Sequence, residues 1–468
     1  MHGKHITIVG AGLVGSLLAT LLAQRGISVD LFEKRPDPRR AGFVGGRSIN
    51  LALSERGLVA LRMAGLEHAV LDQAVMMRGR MVHDRDGHAA LQRYGVDDSE
   101  VNQSVSRGAL NIALLDAAEK AGATVHFDRA LVAADFDRHT LTFADRSGTR
   151  VKRDAAVVIG ADGAGSTMRA AMDRHSPLGQ HVEPLGHGYK ELEIPPLPDL
   201  PESALTPALR EKRAAGERFA IEPHALHIWP RGNCMCIALP NAEGSFTVTL
   251  FLPRDGDHPS FRSVPDAAAA RRYFATDYAD TLPLMPGFDA DYDTHAVGSL
   301  ATLYLDRWHL GGQALLVGDA AHAIVPFHGQ GMNAGFEDTA LLAPLIAEAD
   351  GDMDDVFARF QKQRKPDADA IAAMALENYV EMRDSVVDPD YLRKRQLGTS
   401  LADRAPRHFM PRYRMVTFTR LPYAYCLERG AAQDMLLTQL LHGHERVEDI
   451  DMDAALATLR ATLPPLPA

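Results

Sequence analysis

The chain has 468 residues, 46% of them hydrophobic and 24% charged, and a formal net charge of −11. That length holds about three domain-sized units, and the acid excess argues against the basic face of a nucleic-acid binder. The three cysteines, Cys234, Cys236 and Cys426, form neither a disulfide framework nor a zinc site and fit a reducing cytosol.

The first predicted elements lie in HITIVGAGLVGSLLATLLAQRGISVDLFEKR, residues 5–35. ITIV reads as a short buried strand, and Gly10, Gly12 and Gly15 follow as G-x-G-x-x-G. A helix runs on to Gly26 as its cap, and a second strand, ISVDLFE, ends in Glu33. In such a unit Gly10 permits the tight turn, Gly12 lets a pyrophosphate reach the backbone, and Gly15 lets helix and strand close up. The helix N-terminus offers free N–H groups to phosphate. Glu33, 18 residues after Gly15, is placed to accept from a ribose hydroxyl. A carboxylate here suits FAD or NAD and repels the 2′-phosphate of NADP. The apolar run is followed by a strand and an acid rather than a small-residue cleavage site, so it is not read as a signal peptide.

Further on, SVSRGALNIALLDAAEKAGA (104–123) reads as a helix that begins near Arg107. In AAVVIGADGAGSTMR (155–169) a buried strand ends in Asp162-Gly163, where open α/β sheets bind ligands. Ser166 is placed to cap the next helix, with Arg169 in its first turns. Residues 181–300 alternate like a mixed or antiparallel sheet. In WHLGGQALLVGDAAHA a strand leads into Gly318-Asp319, again at a carboxyl end, and GMNAGFED opens a helix. The chain from 373 onward reads mostly helical, and no apolar stretch is long enough to span a membrane.

The three motifs, in this order, resemble the FAD-dependent aromatic hydroxylases, the single-component flavoprotein monooxygenases. The resemblance implies an α/β fold. It has a discontinuous Rossmann-like FAD-binding domain (1–72, 100–180 and 290–372), a mixed or antiparallel substrate sheet (73–99 and 181–289) and a helical C-terminal region (373–468). It places Glu33 on the adenosine ribose, Asp162 at the pyrophosphate region, Asp319 on the ribityl hydroxyls and Arg107 beside the cofactor. With no second strand–G-x-G-x-x-G–helix unit, NADPH is expected to dock transiently.

Further strings narrow the resemblance within that family. They are GRSINLALSERGLVAL (46–61), MMRGRMVH (76–83), HGYKEL (187–192), HIWPRG (227–232), SFTVTLF (245–251), VPFHGQGMNAGFED (325–338) and ALENYVEMRD (375–384). They are similar to members that hydroxylate L-kynurenine to 3-hydroxy-L-kynurenine, and the likeness extends to about residue 425. The implied clamp on the substrate carboxylate is Arg80, helped by Tyr94, Tyr413 and Asn378, with Phe327 and Met382 against the ring. Arginine is the natural bidentate partner of a carboxylate.

The implied chemistry is reduction of FAD by NADPH, then O₂ addition to give a flavin C4a-hydroperoxide that the activated ring attacks. No protein base, and no metal, is expected. Pro326, Phe327 and His328 are expected to wall the flavin edge. Gly329, Gly331, Met332 and Asn333 are expected to bring backbone N–H groups to the isoalloxazine, at a helix N-terminus that favours an anion. A cytoplasmic monomer or homodimer is expected. Three rival readings stay open: a hydroxylase of another aromatic acid, an NAD-dependent dehydrogenase, and a non-catalytic flavoprotein scaffold that binds FAD without turning over.

Overall fold

The computed structural model describes residues 5–41, 50–383 and 388–467. Residues 46–49 of the GRSINLALS string and Asp384 at the end of ALENYVEMRD lie outside them. The ITIV run forms strand β1 (His5–Val9), followed by helix α1 (Leu13–Ala23), strand β2 (Ser28–Phe32) and a short helix α2 (Pro38–Ala41). Helix α1 is capped at Gln24, earlier than expected. Gly26, with φ +76°, instead makes the turn into β2, donating to Ala23 O at 2.9 Å.

Next come β3 (Asn50–Leu53), α3 (Glu55–Met63), α4 (Glu67–Leu71), β4 (Val75–Met77) and the hairpin β5 (Gly79–His83) and β6 (Ala89–Arg93). Strand β7 (Asn102–Ser106) feeds α5 (Arg107–Ala121), whose N-cap Ser106 accepts from Ala109 N–H. The meander β9 (Ala130–Asp135), β10 (Thr140–Ala144) and β11 (Arg150–Asp154) follows β8 (Thr124–His126). Then β12 (Val158–Gly160) and α6 (Thr167–His175) complete the first part of the cofactor side.

The long strand β13 (His181–Ile194) opens the second sheet, with α7 (Pro207–Ala214), β14 (Ala225–Pro230), β15 (Met235–Pro240) and β16 (Phe246–Pro253). Helices α8 (Ala267–Asp277) and α9 (Phe288–Thr294) interrupt a region that reads as strand-rich, and β17 (Gly298–Tyr304) returns to the sheet. Strands β18 (His309–Leu310) and β19 (Ala314–Leu316) lead to α10 (Asp319–His322), α11 (Gly331–Glu348) and α12 (Met353–Arg383). The chain closes with α13 (Pro389–Arg404), α14 (Arg412–Phe418), α15 (Tyr423–Leu441) and α16 (Met452–Thr462).

A six-stranded sheet of order β18-β19-β12-β1-β2-β8 carries the cofactor side. All its neighbours pair in parallel except the edge strand β18. The seven-stranded sheet has the order β17-β13-β16-β15-β14-β5-β6. Here β5, from a distant part of the chain, pairs in parallel with β14 and puts Arg80 opposite Leu226. Strand alternation then decides what each face does. Leu192, Ile194, Trp229, Cys236 and Phe246 point into a core covered by α8 and α9. Ile228, Met235 and Phe251 point the other way, joining Phe327, Tyr379 and Met382 in a separate apolar cluster. Among the described residues no helix is long and apolar enough to cross a membrane.

On the β5–β14 pairing line two imidazoles share a hydrogen bond, His83 Nε2 to His227 Nδ1 at 2.8 Å, while His227 Nε2 bonds Glu222 O at 2.8 Å. The His83 ring stacks on Trp229. Burial pushes His83 down to about 4 and His227 down to about 3, so both are neutral in the fold. Their unfolded values lie near 6.5, so the stability they give is full above that pH and is lost as pH falls toward 4. For His83→Gln, which keeps a donor toward His227, wild type is expected to lose about 1 kcal/mol more between pH 6 and pH 5 than the variant. Urea unfolding at the two pH values measures this, and equal slopes would contradict it.

Candidate active site

Register brings the three dispersed motifs to one edge. Val9 of β1 lies beside Gly160 of β12, and Gly160 beside Leu316 of β19, so the turns after all three strands start at one level. Gly10, at φ +105°, abuts that neighbour directly: a Cβ on it would sit 2.5 Å from Ala161 O. A Cβ on Gly15 would stand 1.9 Å from Gly10 O, which makes glycine obligatory where α1 crosses the turn. Around Gly12 the same space is open. That combination, a locked turn with an open cradle at a helix N-terminus, fits a pyrophosphate.

Next to the cradle Glu33 accepts from Ala11 N–H and from Arg35 N–H, both at 2.9 Å. Asn111 Nδ2 donates to Ala11 O at 3.0 Å. Ala11, Gly12, Glu33, Arg35, Asn111 and Phe127 line a small cleft beside the cradle. Asp162 also ties down the start of α6, where its carboxylate accepts from Ser166 Oγ and from Met168 N–H. Ser166 caps that helix as expected, accepting from Arg169 N–H at 2.8 Å. Asp319 begins α10, is exposed, and engages no other described side chain. Arg107 is the exposed first residue of α5, close enough to Tyr189 and Glu191 to act on both electrostatically.

The segment after Asp319 runs into a 3₁₀ turn, Pro326–His328, with Pro326 exposed and Phe327 and His328 buried. Gly329 takes φ +69° and delivers the chain to α11, which starts at Gly331 with Met332 half-buried. Asn333 is a brace: its Oδ1 accepts from Ser54 N–H at 3.0 Å, and its Nδ2 donates to Ala52 O and Gly329 O at 2.8 Å each. It leaves no room for a Cβ on Gly57, so α3 and α11 are held side by side.

The residues expected at the substrate lie together beyond that turn. Arg80, only 6% exposed, donates from Nη1 to Glu381 Oε1 at 2.7 Å and from Nη2 to Asn378 Oδ1 at 3.1 Å. Its Nε is buried without a partner. Tyr94 and Tyr413 stack on each other at 4.9 Å, and the guanidinium lies 5.0 Å from the Tyr413 ring. His328 stacks on the other side of Tyr413 at 5.2 Å. Asn378 Nδ2 donates to Phe327 O at 2.6 Å and contacts Met382 Sδ.

Burial opposes the charge on Arg80, yet Glu381 overrides it and keeps the guanidinium firmly protonated. The same pair holds Glu381 below the usual carboxylate range against its own burial. Burial raises both phenols, and burial together with Arg80 and Arg412 pushes His328 down to about 4. The cluster therefore contains one fixed ion pair among neutral hydrogen-bonding groups.

Several members of the site escaped the sequence reading. Glu381 is held by Tyr391 of α13, whose hydroxyl donates to it at 2.9 Å, and Asn102 Nδ2 donates to Tyr413 Oη at 2.9 Å. The sheet wall is built from Leu226, Ile228, Ile237 and Thr249, linked by cross-strand pairing to Arg80 or to each other. The wall carried a signal, the period-two alternation in ALHIWP and MCIALP. Glu381 carried one too, since it lies one helical turn after Asn378.

The fold and its cradle define an FAD-binding flavoprotein. The chain matches the family described as FAD binding domain over residues 4–216 and 269–375. It is 53% identical to the kynurenine 3-monooxygenase of Stenotrophomonas maltophilia (strain K279a), covering 99% of this chain and 98% of that relative. The kynurenine 3-monooxygenase of Xanthomonas axonopodis pv. citri (strain 306) is 52% identical over the same shares. The chain belongs to the kynurenine 3-monooxygenase family of FAD-binding proteins. Among solved structures, 2-methyl-3-hydroxypyridine-5-carboxylic acid oxygenase shares the fold at TM-score 0.64 and 21% identity, covering 84% of this chain and 96% of its own. A tetracycline destructase shares it at TM-score 0.58 and 18% identity, covering 84% and 95%.

Glu33→Ala removes an acceptor that also orders the Ala11 turn. Its FAD dissociation constant is expected to rise about tenfold or more, the scale of a lost charge-assisted hydrogen bond. Titration of apoprotein with FAD by flavin fluorescence measures it, and an unchanged constant would rule the residue out of the cofactor site.

Proposed function

We propose that the chain hydroxylates L-kynurenine to 3-hydroxy-L-kynurenine, consuming NADPH and O₂ and releasing NADP⁺ and water. The observation that carries this reading is the Arg80 guanidinium, buried beside two stacked tyrosines with its Nε unpartnered, at the edge of an apolar wall. Such a site suits an aromatic body with a carboxylate at one end. Glu381 adds the counter-charge for an α-ammonium, so the zwitterionic tail of an amino acid fits better than a simple aromatic acid. The relatives' shared name supports the same choice.

Bound FAD, once reduced by NADPH, supplies the activated oxygen atom. The chain's own residues bind, orient and keep water away. Arg80, with Tyr94, Tyr413 and Asn378, holds the carboxylate end. Phe327, Met382, Ile228 and Ile237 set the ring plane by contact. The turn from Gly329 to Met332 would hold the flavin, and the α11 N-terminus that it leads into would favour a negative charge on it. The amino group already activates the ring carbon beside it, so none of these residues needs to remove a proton from the substrate.

The cofactor side is assigned to residues 1–72, 100–180 and 290–372, and the substrate sheet to 73–99 and 181–289; the separate sheets follow this division except at two strands, β17, which joins the seven-stranded sheet, and β4, which pairs with β7. The helices beyond 373 contribute Asn378, Glu381 and Tyr413. A cytoplasmic location is supported by three buried free thiols.

The purified protein is expected to be yellow, to oxidise NADPH faster with kynurenine than with 4-hydroxybenzoate or salicylate, and to yield a product one oxygen heavier. A colourless protein would favour the dehydrogenase, and acceleration by another aromatic acid alone would move the substrate assignment. Arg80→Met is expected to raise the kynurenine KM by about 2–4 kcal/mol in binding, as for a buried charge-assisted pair. An unchanged KM in steady-state assays would remove Arg80 from the clamp.

A further inference from the structure

The GFED string ends in an acid that the cofactor and substrate contacts above leave unused. Asp338 lies inside α11 with no exposed side-chain area. Its Oδ2 accepts from Gly318 N–H at 2.9 Å and from His322 Nε2–H at 2.7 Å. Its Oδ1 accepts from Arg364 Nε at 2.9 Å. Burying a carboxylate this completely is costly unless each oxygen is satisfied. Here three donors, one of them cationic, do so, and they keep Asp338 ionised against its burial.

The donors show what the carboxylate is for. Gly318 immediately precedes Asp319, and His322 is the last residue of the short α10 turn that Asp319 begins. One oxygen atom therefore grips the peptide before Asp319 and the side chain three residues after it. Gly318 stands at φ +57° and is pressed on Val14, whose Cγ2 would lie 3.1 Å from an added Cβ. Trp308 covers His322 with ring centroids 5.0 Å apart. Asp319 itself has no such anchor, since its carboxylate is exposed and unpaired. Its position is set from beneath.

The neighbouring acid acts elsewhere. Glu337 also bonds Arg364, at 3.3 Å, but its other oxygen accepts from Arg56 Nη1 at 2.8 Å. Arg56 in turn donates to Val416 O and Leu421 O in the C-terminal region. Two adjacent carboxylates thus share one arginine while only Asp338 touches the turn.

We propose that Asp338 is the positioning residue of the Gly318-Asp319 turn, holding Asp319 where its carboxylate meets the ribityl hydroxyls of FAD. This rests on the assignment of Asp319 to the ribityl chain. The test is FAD titration of apoprotein for Asp338→Asn, Asp319→Ala, the double variant, and Glu337→Gln as a control. Asp338→Asn and Asp319→Ala are each expected to raise the FAD dissociation constant about tenfold, and Glu337→Gln to leave it within about twofold. Because Asp338 acts through Asp319, the double variant is expected to be little worse than Asp319→Ala alone.

Multiplying effects in the double variant, or equal losses in Asp338→Asn and Glu337→Gln, would overturn the proposal and leave a general structural role. Asp319→Ala weak and Asp338→Asn silent would overturn it alone, whereas a silent Asp319→Ala would overturn the ribityl assignment as well. If Asp338→Asn does not fold, the His322 pair is read in its place. His322→Gln keeps a donor at the Nε2 position and should retain affinity. His322→Asn, which cannot reach, should lose it, and equal affinities would overturn the proposal.

Discussion

The contact on which the cofactor side depends is the one between the turn after β1 and the helix that crosses it. Gly15 lies on Gly10 O so closely that no side chain fits between them. One residue earlier in α1, Val14 reaches outward against two more glycines: a Cβ on Gly335 would stand 2.6 Å from its Cγ2, and one on Gly318 3.1 Å. Four glycines, one on α1 and one on each segment it meets, thus let α1 lie against β1, α11 and the strand end before Asp319 at once. The open face left at Gly12 is the consequence. Close packing on every other side aims the helix N-terminus at the single direction from which a phosphate can come.

Electrostatics on the substrate side follow from burial in the same way. A guanidinium that is 6% exposed needs counter-charge, and Glu381 with Asn378, one turn apart on α12, supplies charge and hydrogen bond from a single helix face. Tyr391 donates to the same Oε1 of Glu381 that Arg80 bonds, and Arg412 pairs with Glu377 on the same helix. The cluster around Arg80 is therefore assembled by β5, α12, α13 and α14 together, and no one segment forms it alone.

This division explains what can be read from the chain alone. Glycines at Gly10, Gly12 and Gly15 are legible because their need is local: a turn, an approach, a close crossing. So is Ser166, whose capping depends on the next three residues. The pairing of β5 with β14 is not local, since Gly79 and Ala225 meet only through sheet register. Glu381 escapes notice because an acid on a helix reads as solvated until Arg80 arrives from far earlier in the chain. Asn333 shows a third case: its backbone is expected to matter, and its side chain proves to brace α3 against α11. Asp338 reads merely as the acid closing a string, because nothing nearby in sequence reveals that Gly318 and His322 will converge on it.

The state of the pocket's titratable groups bears on how the site works. Tyr94 and Tyr413 are pushed above the ordinary phenol range, His328 is pushed down to about 4, and Arg80 and Glu381 hold each other charged. None of these groups changes charge near neutral pH, so the hydrogen-bond donors and acceptors keep fixed roles. Tyr413 can donate but not ionise, and His328 can stack on it without adding a second cation beside Arg80. A catalytic base would require the opposite arrangement, a group poised near the working pH. What the residues form instead is a buried cluster with one permanent ion pair and neutral hydrogen-bonding groups around it, and in the proposed reading they would orient the substrate rather than take a proton from it.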